Sequence, residues 1–432
     1  MDLTRRYFLK STGALAAYLG VAPMAAFAGG LAIRRQPVAR GKTLVVIFLR
    51  GGADGLNLVV PFADPHYRRL RPSLALAAPG QNDGVIDLDG RFGLHPRLAP
   101  LKPLFDDDTA VAIHAVGYAH NTRSHFEEQD TWETGVIGNT VNSDGWLNRH
   151  LATSEGRGPI RAVSIGDSLP RILHGKAPAY AVRGLRDLTM PAAEGADRDR
   201  IAAALEHAYS CDGMHEASAA RDLLAQTAST TLDGMEQLRG VVADEYQPSV
   251  AYPDTPTAQR LREVARLIKA DVGLEVAEVD LDGWDTHANQ GSGAGGQLGN
   301  LAGQLAGAMA AFMGDLGDRA EDVVVVTMTD FGRTAAENGT SGTDHGWANC
   351  MLLAGGPVRR ANRAAAEGGQ ARKVAGTWPG LAPDQLHERR DLLHTTDFRD
   401  VIGELVATHL GNDNIRTILP SHEFKSVGLV RA

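Results

Sequence analysis

The sequence predicts an α/β fold: a three-layer sandwich in which helices cover both faces of a central, mostly parallel sheet. Three observations carry this. Unbroken apolar runs at 44–49 and 323–326 mark strands buried on both faces, because side chains alternate across a sheet and only an internal strand places both sets in a core. Segments with helical spacing alternate with these runs, as in βαβ connections. Glycines and acidic residues cluster just after the strands, where ligands sit in such sheets.

Taken in order, residues 1–28 read as an address. Arg5-Arg6 within Thr4–Lys10 is the twin-arginine pattern, an apolar stretch runs from Ala14 to Phe27, and Ala26-Phe27-Ala28 offers a cleavage site before Gly29. The stretch falls short of the ~20 residues of a spanning helix, and Pro23 interrupts it. The expectation is export through the twin-arginine translocase to the periplasm or the extracellular space, with no membrane span in the mature chain.

Residues 29–432 are expected to form one domain. Lys42–Arg50 is its first strand, running into Gly51-Gly52-Ala53-Asp54-Gly55. A short helix is expected over Pro96–Phe105 and a strand over Thr109–Val116. The next helix is expected to start at Ser124, with Glu127 completing a capping box. The alanine-rich stretch 193–245 reads as a helical insertion or flank. Thr257 is expected to cap a helix bearing Leu261, Val264, Leu267 and Ile268. Strands follow at Gly273–Leu281, from Val323, and at Asn349–Ala354, with a helix over Leu298–Leu316 before the second. A last helix, bearing Phe398, Val401, Ile402 and Leu405, is expected to be capped by Thr396 and stopped by Gly411.

Composition excludes some functions. The 432 residues carry 43 basic and 52 acidic side chains, a net charge of −9, without long runs of either sign. Nucleic-acid binding needs clustered Lys and Arg, so it is not expected. The glycine loops lack the spacing of nucleotide-binding fingerprints. Cys211 and Cys350 lie in no metal or redox spacing; they could pair after export or serve as small buried groups.

Three acidic residues follow strand ends: Asp54, Asp285 and Asp330. His287 and His345 lie in the adjoining loops. Parallel strands bring their carboxyl ends to one edge, so these residues can converge although distant in sequence. Asp and His together suit zinc, manganese or magnesium. An ion held there could polarise a phosphoryl or sulfuryl oxygen and activate water or a serine. Ser124, at a helix start, is the candidate nucleophile, with His125 a ligand or acid beside it. Arg123 and Arg333 are candidates for gripping an anion's oxygens. Each has a plainer alternative: a helix-capping Asp, a loop His, a capping Ser, a solvated Arg.

The twin-arginine leader, VVIFLRGGADGLNLVVP, HNTRSHFEEQDTWETG, DGWDTHANQ and MTDFGRTAAENGTSGTDHGWAN together resemble the bacterial family known as domain of unknown function 1501. That resemblance implies an alkaline phosphatase-like fold with one or two metals at the sheet edge, and a small anionic ester as substrate. It casts Asp54, Asp285, His287, Asp330 and His345 as metal ligands, with Ser124 or Thr122 as nucleophile. Phe331 stands where the family's superfamily carries a histidine, and one residue rather than three separates Asp285 from His287. No C-x-P-x-R or S-x-P-x-R is present, which argues against a formylglycine sulfatase. The implied function is an exported metal-dependent hydrolase of a phosphate or sulfate ester. The alternative is a non-catalytic envelope or export-associated protein keeping a degraded site.

Overall fold

The computed structural model describes residues 41–138, 143–156, 158, 160–185, 240–242, 245–291, 293, 295–368 and 372–432. The expected leader, Cys211 and nearly all of the expected helical stretch 193–245 lie outside the described residues. Residues Val38–Arg183 and Tyr246–Ala432 form one compact unit, and the fold below is that unit.

Twelve strands are formed among the described residues: β1 (Thr43–Leu49), β2 (Val59–Val60), β3 (Ile86–Asp87), β4 (Gly93–Leu94), β5 (Ala110–Gly117), β6 (Ala162–Ile165), β7 (Tyr180–Val182), β8 (Val276–Leu281), β9 (Val323–Thr329), β10 (Asn349–Gly355), β11 (Val374–Ala375) and β12 (Thr396–Asp397). β2, β4 and β3 make a small antiparallel sheet. The rest form the central sheet, in the order β11-β5-β10-β9-β1-β8-β6-β7, with β12 also pairing with β5.

β1 lies between β9 and β8, parallel to both. All seven residues of β1 and all seven of β9 are buried, as their apolar runs require. β10 alone runs the other way. It is antiparallel to β9 on one side and to β5 on the other, so β5 shares the sense of β9 and β1. This mixed, mostly parallel sheet is flanked by helices, as expected. Its geometry decides where function can sit. β1, β5, β8 and β9 all end at one edge, and β10 begins there.

Local details move two helix starts. The helix expected to open at Thr257 spans Pro256–Lys269 and is capped by Thr255, whose hydroxyl accepts from the Ala258 N–H. Pro256 supplies the first helical residue, where its missing N–H costs nothing. The helix expected to open at Thr396 spans Phe398–Glu404, runs on as a π-helical turn over Leu405–His409, and is capped by Asp397, not by Thr396, which pairs with β5 in β12. Pro96–Leu101 is a 3₁₀ turn that leads into a helix over Lys102–Asp106. No described helix is long and apolar enough to cross a membrane.

Two buried devices lend themselves to measurement. The Glu404 carboxylate is fully covered and accepts main-chain N–H bonds from Val427, Gly428, Leu429 and Val430, pinning the C-terminal strand of chain to the last helix. Charged hydrogen bonds of this kind are worth about 1.5–3 kcal/mol each. Glu404→Ala is therefore expected to lower unfolding free energy by at least about 3 kcal/mol and to open residues 426–432 to limited proteolysis. An unaltered urea midpoint would contradict this.

His114 and His409 are buried with Nε2–H donating to the carbonyls of Val59 and Thr43, and burial pushes both down to about 4. Both take up a proton in the unfolded chain below its ordinary value but resist one when folded. Stability is therefore complete above about pH 6.5 and lost as pH falls from there towards 4, by roughly 1.4 kcal/mol per pH unit for each histidine. Urea unfolding at pH 6.5 and 4.5 reads the slope, and His409→Asn is expected to reduce it.

Candidate metal centre

Each element that meets the carboxyl edge contributes to one cluster. β1 runs into Gly51 and Gly52, whose φ of +116° and +70° are left-handed and favour glycine. A Cβ on Gly51 would stand 2.6 Å from the Asp285 nitrogen, and one on Gly52 2.5 Å from the Phe331 ring. The bare backbone thus lets Gly51 N–H donate to Asp330 Oδ1 at 3.0 Å.

Asp330, fully buried at the end of β9, caps no helix. Its Oδ2 accepts from His125 Nδ1 at 2.6 Å and from Gln129 Nε2 at 2.9 Å. His125 opens the helix His125–Thr134 after β5, and Gln129 lies one turn on, so both face Asp330. Burial pushes the Asp330 carboxyl up, but the bonds from His125, Gln129 and Gly51 outweigh it and hold it below the ordinary range. The same bond from Asp330 raises the His125 imidazole.

Asp285 follows β8, and its Oδ1 is the centre of the cluster. Around it stand His287 Nε2 at 3.0 Å, His345 Nε2 at 3.2 Å and His125 Nε2 at 3.5 Å. His345 reaches the edge from the loop before β10, which is why the antiparallel strand matters. The other nitrogen of every imidazole is engaged by an acceptor. His125 Nδ1–H goes to Asp330, His287 Nδ1–H to Asp344 Oδ1 at 3.1 Å, and His345 Nδ1–H to the Arg123 carbonyl at 2.8 Å. Carbonyl and carboxylate oxygens only accept, so the proton that a neutral imidazole keeps sits on the outer nitrogen, and Nε2 is the atom left to bind an ion. Burial holds His345 below its ordinary value, which favours the neutral form.

With their protons on the outer nitrogens, these inward atoms have none to share with one another. His287 Nε2 and His345 Nε2 are 2.9 Å apart, and His125 Nε2 is buried without a hydrogen-bond partner. Lone pairs converging on a carboxylate oxygen repel unless a proton or cation lies among them. Ligand atoms of His125, Asp285 and His345 all fall within 4.8 Å of one another, with His287 adjoining through Asp285 and His345. The donor set fits a divalent ion. Nitrogen-rich coordination with one carboxylate suits zinc and other transition metals, whereas magnesium prefers oxygen. Carboxylates and a carbonyl behind each imidazole are the usual outer support of such ligands.

The other residues singled out in the sequence have different surroundings. Asp54, fully buried, is bonded by Arg71 at 2.6 Å and Gln290 at 2.6 Å, and no histidine of the cluster reaches it. Arg333 is not a solvated charge: it is 1% exposed, donating to the carbonyls of Gly51, Gly52, Trp284 and Thr343 and to Asp285 Oδ1 at 2.7 Å. Burial pushes the Asp285 carboxyl up, and this guanidinium together with His287 and His345 more than reverses it. Arg123 is drawn to Asp391 and Glu388. The expected capping box does not form. Ser124 is the N-cap residue but makes no side-chain capping bond, and Glu128, not Glu127, ties the preceding loop through Thr122 and Tyr118.

Phe331, fully buried, packs against His125 and His345 with ring centroids 4.8 and 4.5 Å away, an apolar wall behind two imidazoles. Cys350 is buried and free, its thiol pushed up to about 12 by burial. Arg71, Gln290 and Asp391 have no local sequence signal. Gln129 has one: helical spacing from His125.

A family model described as "Protein of unknown function (DUF1501)" matches residues 107–419. No curated protein matches the chain. Among solved structures, a sulfatase (PsFucS1) from Pseudoalteromonas sp. is similar at 10% identity and a TM-score of 0.31, over 82% of this chain and 66% of that one. An alkaline phosphatase from the Antarctic bacterium TAB5 is similar at 8% identity and a TM-score of 0.26, over 74% and 93%. The chain thus spans just under two thirds of the sulfatase.

Proposed function

The chain belongs to the family described as protein of unknown function (DUF1501), and from that premise we propose that it is an exported, metal-dependent hydrolase of a phosphate or sulfate ester. One observation carries the reading: three imidazoles, each with its outer nitrogen tied to an acceptor, aim their inner nitrogens at Asp285 Oδ1. His125, His287, His345 and Asp285 would hold the ion, zinc by the donor set. Asp330 and Asp344 would orient two of the imidazoles from behind. Manganese and magnesium remain outcomes of a metal analysis. A divalent ion supplies Lewis acidity and lowers the pKa of a coordinated water. Export by the twin-arginine translocase rests on the Arg5-Arg6 leader and belongs to the same proposal.

The chain's own groups supply the rest. Ser124 adjoins the ligand His125, and its hydroxyl is free of capping duty, so it is the candidate nucleophile, with water the other. The Arg333 guanidinium is held beside Asp285, where it would temper that ligand's basicity. The test is turnover of 4-nitrophenyl phosphate and sulfate by the metal-loaded protein. Ser124→Ala is expected to lower kcat by about 100-fold or more if the serine attacks, and to leave it unchanged if water does. No turnover of either ester by a protein with its metal in place would sink the hydrolase reading.

A second reading, a non-catalytic envelope or export-associated protein, is favoured by the same Arg333. Its guanidinium already neutralises Asp285, as a site maintained for structure would require.

A further inference from the structure

The histidines of the cluster are not supported alike. His125 and His287 each lean on a carboxylate, but His345 leans on a main-chain carbonyl, that of Arg123, at 2.8 Å. That carbonyl is aimed by an unusual backbone: Arg123 has φ +61°, a left-handed conformation that costs a non-glycine residue about 1–2 kcal/mol. Something must hold it there. The Arg123 side chain supplies the anchor, giving Nε and Nη2 to Asp391 Oδ2 at 3.0 and 2.7 Å, with Nη2 also on Glu388 at 2.6 Å. Asp391 is fully buried, whereas Glu388 is exposed.

The segment that brings Asp391 grips His345 from its other side too. Arg390 Nη2 donates to the His345 carbonyl at 3.0 Å. The turn is tight, with His387 and Asp391 exchanging both main-chain bonds and Glu388 and Arg389 both left-handed. It is fastened to the body by His387 stacked on Trp347, ring centroids 3.8 Å apart, and by a bridge between Asp391 and Thr334.

We propose that Asp391, acting through Arg123, is the positioning residue for His345, so that residues 386–391 form a strap that sets how tightly the centre holds its ion. The inference rests on the metal reading above. It departs from the plain view that Arg123 awaits the substrate's anion: this guanidinium is already paired, and its main chain does the work.

Zinc affinity, measured by competition with a chelator, tests the strap. Asp391→Asn and Arg123→Gly, which permits the left-handed backbone without strain but no longer pins it, are each expected to weaken zinc by about 10- to 100-fold, the range of outer-shell partners. The double variant is expected to be no worse than either single one, because both break one linkage. Glu388→Gln is expected to match the wild type, since an exposed ion pair contributes little. In the metal-free protein, the His345 Nδ1–H observed by NMR is expected to exchange faster in both single variants.

Wild-type affinity in folded Asp391→Asn and Arg123→Gly, or losses that multiply in the double variant, would overturn the proposal. Should Asp391→Asn fail to fold, Arg123→Gly decides alone by the same criterion. Should the wild type bind no zinc, the metal reading falls. The exchange rate of the His345 proton then decides the positioning role: faster in Arg123→Gly upholds it, unchanged overturns it.

Discussion

Protein carrying His125→Ala is expected to lose its divalent ion, and His345→Ala likewise. Each imidazole supplies one of four inward donors, so its removal takes away a direct bond to the ion. An outer-shell partner typically commands 10- to 100-fold in affinity, so loss of a direct ligand is expected to exceed about 100-fold. Elemental analysis of the purified proteins reads this without reference to any reaction. Asp54→Asn is the control: its carboxylate is paired with Arg71 and Gln290, so metal content is expected to stay at the wild-type level while stability falls. Equal metal content in the wild type and both histidine variants would falsify the assignment of the centre. Depletion in Asp54→Asn alone would move it towards β1.

Arg71→Ala is expected to be the most destabilising single change in the described fold. Arg71 is completely buried and has no apolar role. Its guanidinium joins Asp54 and Asn57 to the carbonyls of Thr334 and Ala335, tying the segment after β1 to the loop after β9. Removing one partner of a buried pair strands the other charge, which costs about 3–5 kcal/mol. The prediction has a second part. If the loss comes from the stranded carboxylate, Arg71→Met combined with Asp54→Leu is expected to recover much of it, because burying neither charge avoids the desolvation cost. Urea unfolding of the two singles and the double gives the coupling energy directly. A double variant as unstable as the sum of the singles would mean that the carbonyl bonds, not the ion pair, hold these loops.

The two outcomes separate roles that look alike in one dimension. Asp54, Asp285 and Asp330 all follow a strand and stand near glycine, yet one meets an arginine, one three imidazoles, and one the back of a histidine. Nothing in the local residues distinguishes them, because the partner in each case comes from a remote loop. The glutamine at 290 and the arginine at 71 both reach Asp54 only because the chain folds them against it. Phe331 reads as a missing ligand in the sequence; in the fold its ring is a wall behind His125 and His345. His125, a ligand or an acid by its place beside Ser124, is turned inward by its bond to Asp330.

What the sequence by itself determined is the scaffold and the edge. Valine runs read as internal strands, helical spacing between them makes the sheet mostly parallel, and a parallel sheet gathers the residues after its strands along one side. Those are consequences of side-chain period and solvent exclusion, which are local and therefore legible. Which donors meet, which charges cancel and which loop braces which imidazole were decided by tertiary structure alone. The antiparallel β10 delivers His345 to the edge, and the strap at 386–391 orients it through Arg123. These depend on register and on contacts across hundreds of residues, where no short-range pattern carries information.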